Sequence, residues 1–176
     1  MNIREALLEE HSKAQTMKIV QFIGKNQDRF DQLMDLFFND EYRVTQRAAW
    51  VVRYATEAHR PLFQPHLERI IEHLKNPTVH DAVKRNSLKL LTEMEIPSSL
   101  WGELVNICFG FLDDPQQAIA IRVFSMEILY QITLQEPDLA DELKLLIEDH
   151  WEHASAGFRS RGKKVLKGLA KLQKDN

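Results

Sequence analysis

Four histidines recur every seven residues, at His59, His66, His73 and His80. Imidazole is the commonest metal ligand and a frequent general base, so a regular row of them is the first place to look for chemistry. Seven residues of α-helix are two turns, about 10.5 Å along the axis, too far for one metal ion. His59 and His80 also lie beyond neighbouring prolines. His150 and His153 are closer, and residues at i and i+3 can reach one metal, but no third ligand is in view. They read as a surface pair on an acidic helix. The chain has no glycine-rich phosphate loop, nucleophile elbow or paired-cysteine motif. No pattern groups a Ser, a His and an acid, and none of the many carboxylates is marked out as acid or base. The single cysteine, Cys108, lies in the apolar run 104–112 and reads as a buried, inert thiol. These residues predict no catalytic group, no metal and no cofactor, hence no enzyme.

Recognition chemistry is better supplied. Arg43, Arg47, Trp50 and Tyr54 fall at offsets 0, 4, 7 and 11, one stripe on a helix, with Arg53 nearby. Two guanidinium groups beside two aromatics suit phosphate contact with base stacking, or a protein hot spot. The plainer alternative packs Trp50 on a neighbouring helix and leaves the arginines in water. Arg85 and Lys89 are a further basic pair. The last segment carries Arg159, Arg161, Lys163, Lys164, Lys167, Lys171 and Lys174 opposite Phe158, Val165, Leu166, Leu169 and Leu172. Such a basic amphipathic helix suits nucleic acid, an anionic membrane surface or an acidic protein, or serves as a solubilising terminal cap.

The elements that position these residues repeat. Val44, Ala48, Val51, Val52 and Ala55 are followed 39 residues later by Val83, Ser87, Leu90, Leu91 and Met94. After 38 more come Ile121, Ser125, Ile128, Leu129 and Ile132, and after 37 more Phe158, Gly162, Val165, Leu166 and Leu169. Ser12, Thr16, Ile19, Val20 and Ile23 form a weaker copy 32 residues upstream of the first. The offsets 0, 4, 7, 8 and 11 make one apolar face of a helix. A second apolar helix precedes each stripe, for example Phe30, Leu33, Met34 and Phe37, or Leu139, Leu143, Leu146 and Ile147. Pro61, Pro77, Pro97, Pro115 and Pro137 punctuate the units, because proline fits the first turn of a helix and disrupts its interior. The spacing predicts five helix pairs, about ten helices and no strand. Tandem pairs cannot each bury their stripe alone, so they stack into a helical solenoid. The second stripe position is always small, which lets adjacent helices approach closely; a Leu there would overpack the stack.

The opening of the second helix resembles HEAT repeats, in which Val-Arg is followed three positions after the Arg by a small residue. Val44-Thr45, Val83-Lys84, Ile121-Arg122 and Phe158-Arg159 stand there, followed by Ala48, Ser87, Ser125 and Gly162. Thr45 lacks the charge, the first unit offers only Ser12-Lys13 and Thr16, and the period is slightly short. The resemblance covers nearly the whole chain and implies an all-α, right-handed α-α superhelix of about five helix pairs, a single HEAT-like repeat domain over 1–176. It also implies that the basic residue at Lys84, Arg122 and Arg159 forms a ladder with turn acids such as Asp40 or Asp114.

Charge is unevenly divided. With 23 Lys and Arg against 26 Asp and Glu the net is only −3. The second helices, taken as 12–24, 42–57, 79–95, 116–135 and 155–174, hold 16 of the bases and 5 of the acids. In HEAT-like solenoids second helices line the concave side, so the resemblance implies a basic concavity that steers an acidic partner. The chain has no run of about 18 apolar residues to span a membrane and no apolar signal-type core at its amino terminus. A cytoplasmic, non-enzymatic scaffold holding an acidic protein or peptide is therefore expected, with Arg43, Arg47, Trp50, Tyr54, Arg85 and Lys89 as contact residues. The alternative is nucleic-acid binding in the manner of HEAT-like alkylpurine DNA glycosylases, with Trp50 and Arg47 at the duplex and Asp81 as the acid. A lyase or chaperone acting on cofactor-bearing proteins is a third reading, for which no motif is present.

Overall fold

The structure, a computed structural model, describes residues 1–175 and the side chains of residues 1–174. Among the described residues there are ten α-helices and no strand. They are α1 (Ile3–Glu9), α2 (Lys13–Ile23), α3 (Gln27–Asn39), α4 (Tyr42–Ala58) and α5 (Leu67–Leu74). Then come α6 (Asp81–Leu91), α7 (Trp101–Asp113), α8 (Ile119–Thr133), α9 (Ala140–Asp149) and α10 (Ala156–Asp175). The chain gathers into two compact units, Met1–Leu90 and the part from Leu91 onward.

Helix starts follow local chemistry. The side chains of Asn2, Ser12 and Asn26 accept bonds from the backbone N–H of Glu5, Gln15 and Arg29, capping α1, α2 and α3. Gly24 ends α2 at φ +52°, ψ −125°, a conformation that only glycine adopts without strain. Three of the first helices are entered through 3-10 turns: Arg60–Leu62 and Gln64–His66 before α5, Ser98–Leu100 before α7, and Pro137–Leu139 before α9. The second turn before α5 is imposed by Pro65, and it places Phe63 in the linker rather than in α5. Likewise α6 stops at Leu91, short of the expected 95: Ile96 precedes Pro97 and is biased to extended backbone, and Met94 sits in a turn closed on the Leu91 carbonyl.

The stripes are the core. In the first unit α1 packs against α3 and α2 against α4, so first helices meet first helices and second helices meet second. Val44, Ala48, Val51, Val52 and Ala55 are all buried there, facing Phe30, Leu33, Met34 and Phe37. In the second unit α7 packs against α9 and α8 against α10. Ile121, Ser125, Ile128, Leu129, Ile132, Phe158, Val165 and Leu169 are buried, with Leu104, Cys108, Leu112, Leu143 and Ile147 from the first helices. Leu166 and Met94 are only half-buried.

A second regularity lies at the helix ends. The last carbonyls of an α-helix have no partner within it, and here side chains near the start of the following helix answer them. Thr45 Oγ1 donates to the Asp40 carbonyl at 3.2 Å beyond α3, with the Leu36 carbonyl at 3.5 Å. Arg122 Nε and Nη2 both donate to the Leu112 carbonyl of α7, at 3.0 and 2.8 Å. Arg159 donates to the carbonyls of Trp151 and Glu152, past the end of α9. The direct bonds of Arg122 and Arg159 thus go to backbone carbonyls, and at Arg122 the expected turn acid Asp114 acts beside them through its charge. Asp113 and Asp114 add attraction at Arg122 without replacing those bonds, while Asp40 is bound by Arg4 at 2.7 Å. Lys84 is buried too, with Asp81 at 3.8 Å.

The small positions are close-packed. A Cβ added at Gly162 would lie 2.9 Å from Trp151 Cζ3 and 3.1 Å from Ile147 Cγ2, whereas one added at Gly110 in α7 meets nothing within 4 Å. Gly-to-Ala in a helix interior gains about 0.5–1 kcal/mol, and overpacking a filled core costs about 1–3 kcal/mol. Gly110→Ala should therefore raise the urea midpoint and Gly162→Ala should lower it. Midpoints that move in the same direction would show that the small position does not set the α9–α10 approach.

Candidate functional site

Three of the four histidines in the row are packed on aromatic rings. His66 is buried, with Nε2 2.8 Å from Asp31 Oδ1 and its ring 5.6 Å from Phe30. Asp31 is held below the ordinary carboxylate range, first by the Gln27 side-chain amide at 2.7 Å and then by His66. His73 sets its ring on Phe38 at 4.8 Å, and His80 on Tyr42 at 4.3 Å. The His80 Nδ1 also accepts the Ala82 backbone N–H near the start of α6. Each of these three imidazoles meets an aromatic ring of the α3–α4 pair. His150 Nε2 lies 3.1 Å from Asp113 in the second unit. Among the described residues no three His, Cys, Asp or Glu side chains gather as a metal site. Burial pushes the Cys108 thiol up to about 12, leaving it protonated and a poor nucleophile at neutral pH.

The recognition residues stand on α4, whose apolar face is fixed by the core. Trp50 remains 44% exposed, its ring 4.9 Å from that of His11 in the α1–α2 connection. Tyr54, one turn on, is half-buried between two cations: Lys13 Nζ at 5.9 Å and Arg53 Cζ at 5.8 Å from its ring centre. Arg53 in turn bonds Glu57 at 2.9 Å. Arg43 is exposed and has no side-chain partner among the described residues. Arg47 differs, because its Nη1 donates to the Leu7 carbonyl at 2.7 Å and so closes the C-terminal turn of α1. Gln15, 3% exposed, does the same for the Ala6 carbonyl at 2.9 Å. Arg85, exposed, and Lys89, half-buried, lie one turn apart on α6 and form a second basic pair on a different helix.

Arg43 stands two turns before Trp50 on α4, and the structure brings Trp50 and Tyr54 together with Lys13, Arg53 and His11. The last of these and Lys13 were not singled out in the sequence. They lie about 40 residues upstream of the rings they meet, and only the packing of the first two helices against α4 brings them near it. Chemically this is a surface with two aromatic anchors, two cations beside one of them and an imidazole against the other.

Burial, and secondarily the charge of Arg69, depress the His73 pKa. A depressed imidazole binds its proton more readily in the unfolded chain. Its contribution to stability is complete above the ordinary value of about 6.5 and is lost as pH falls below it. Asp31 and Asp40, also depressed, lose theirs only below the ordinary carboxylate value, near 3.8. Urea midpoints should therefore fall between about pH 7.5 and 5.5, and His73→Gln should flatten that fall. An unchanged slope in the variant would remove His73 as its cause.

A family model described as a HEAT repeat domain matches residues 3–169. No curated protein and no solved structure matches the chain. The match spans both units and every paired helix described above, including the second-helix openings that carry Thr45, Lys84, Arg122 and Arg159. The chain belongs to the HEAT-repeat proteins.

Proposed function

We propose that this chain is a non-enzymatic binding scaffold that holds an acidic protein or peptide through the basic, aromatic stripe of α4. HEAT repeats form helical scaffolds for protein interaction, which sets the class. The observation that carries the finer reading is Trp50, 44% exposed on the same helix as Arg43 and one turn from Tyr54 with its cations Lys13 and Arg53. A large exposed aromatic among cations is the composition of an interface anchor: the ring gives buried area on contact and the cations select acidic partners. Arg85 and Lys89 extend the basic character of the second helices of the first unit. No described helix is long and apolar enough to cross a membrane.

Arg47 belongs to this stripe by spacing, but its bond to the Leu7 carbonyl makes it first a structural residue. The same bond weighs against the nucleic-acid reading of the stripe, which assigned Arg47 to the duplex. Asp81, the acid named for that reading, opens α6 with Lys84 at 3.8 Å.

Affinity capture with immobilised protein, followed by titration of the recovered partner, tests the assignment. Trp50→Ala should weaken binding roughly 30-fold, the size of a hot-spot truncation. Arg43→Glu should slow association and make it less salt-sensitive. Arg43→Glu should leave the urea midpoint near wild type, and Trp50→Ala should lower it only by the loss of its His11 contact. Undiminished capture by both variants would refute the α4 assignment.

A further inference from the structure

The strongest unassigned surface lies in the second unit, on α10. Its apolar side is committed to the core: Phe158, Val165 and Leu169 are buried and Gly162 is pressed on Trp151. Its two arginines are also engaged, Arg159 on the carbonyls of Trp151 and Glu152, and Arg161 with Glu127. Five lysines remain. Lys163, Lys164, Lys167, Lys171 and Lys174 are all exposed and have no side-chain partner among the described residues.

Helical geometry turns these five into a ridge directly opposite the core. At 100° per residue Lys167 sits at the crest, Lys163 and Lys174 fall to one flank, and Lys164 and Lys171 fall to the other. From the first to the last is about 16 Å, in steps of roughly one 5.4 Å turn. Ser160 and Ala170 are also exposed beside the ridge, and neither offers an aromatic or a large apolar anchor. Like charges held this closely repel one another, a cost that a polyanion relieves.

We propose that this lysine ridge binds the phosphate backbone of a nucleic-acid duplex without reading its sequence. A row of ammonium groups on flexible stems suits repeated point charges and lacks the bidentate geometry of base readout. The major groove of B-form DNA admits an α-helix, and cations on both flanks then face the phosphates of both walls. An acidic peptide finds no aromatic or large apolar anchor among the exposed side chains of the ridge. A lipid surface is met only by lysine adsorption, since the apolar side of α10 is buried and cannot insert. The ridge is on a different helix and in a different unit from the α4 stripe, so the two assignments stand or fall separately.

The test is fluorescence anisotropy of a short labelled DNA duplex titrated with the full chain across a salt series. Phosphatidylcholine–phosphatidylserine vesicles run in parallel. Five phosphate contacts give a slope of about −4.5 in log affinity against log salt, an approximately 500-fold loss between about 50 and 200 mM. The triple variant Lys163→Gln/Lys167→Gln/Lys171→Gln should reduce the slope to about −1.8, an approximately 12-fold loss over the same range. Lys25→Gln, at an exposed lysine of the first unit, should leave both values at wild type. The substituted lysines are exposed, so circular dichroism and urea midpoints should match wild type. Three results would each overturn the proposal: no saturable duplex binding at low salt, an unchanged slope in the triple variant, or vesicle binding with no duplex binding.

Discussion

At the turn from α7 to α8 the last carbonyls of the first helix are carried out of easy reach of water. An unanswered buried carbonyl costs about 1–3 kcal/mol, and the ends of other first helices also want a donor. The chain meets this need with a side chain from near the start of the second helix: Thr45 over α3, Arg122 over α7, Arg159 past α9. At α1 the task falls to Gln15 and Arg47. Because the same side chain begins one helix and caps another, it sets the angle at which the pair closes. The apolar stripe and the small residue three positions later then meet in register. Arg122 shows how tightly this is built. Its guanidinium is buried, which lowers its pKa, and it is held by two bonds to one carbonyl, the ring of Phe158 at 4.7 Å and the charges of Asp114 and Asp113.

This constraint sorts the basic residues, and through them the function. Arg4 is bound by Asp40, Arg69 by Asp35, and Arg29 by the Phe22 carbonyl. Arg47, Arg122 and Arg159 are bound by helix ends, and Arg161 by Glu127. Arginine, with its planar fork of donors, is the side chain suited to this internal work. The exposed cations with no described side-chain partner include Arg43 and Arg85 in the first unit and the lysines of α10 in the second, beside scattered ones such as Lys18, Lys25, Arg60 and Lys144. A charge count over second helices therefore overstates the charge available to a partner, because a good part of it answers backbone carbonyls.

The repeat was legible in the sequence because it is written in periodicity. An apolar stripe at offsets 0, 4, 7, 8 and 11 has few structural meanings, and nearly all of its members are buried. Boundaries were less legible. Pro65 imposes a 3-10 turn that displaces Phe63 from α5, and Ile96-Pro97 ends α6 before Met94. Thr45 reads in sequence as a missing charge, yet its hydroxyl performs the capping that arginine performs elsewhere, since a carbonyl asks for a donor and not for a charge. Least legible were contacts between distant segments. Nothing local announces that Arg47 reaches a carbonyl 40 residues upstream, that His11 lies on Trp50, or that Tyr130 closes over Gly168. Such contacts depend on how helices pack, and the pattern of a single helix does not contain them.

The central claim is that Arg122, in the first turn of α8, is there to satisfy the end of α7. Urea unfolding of Arg122→Met beside Arg85→Met tests it most directly. Both substitutions remove an arginine from a second helix and keep an unbranched apolar stem. Loss of the bonds to the Leu112 carbonyl should cost Arg122→Met about 1.5–3 kcal/mol, while the exposed Arg85→Met should stay within about 0.5 kcal/mol of wild type. Equal, small losses in the two variants would contradict the account, since the carbonyl of α7 would then need no partner from α8.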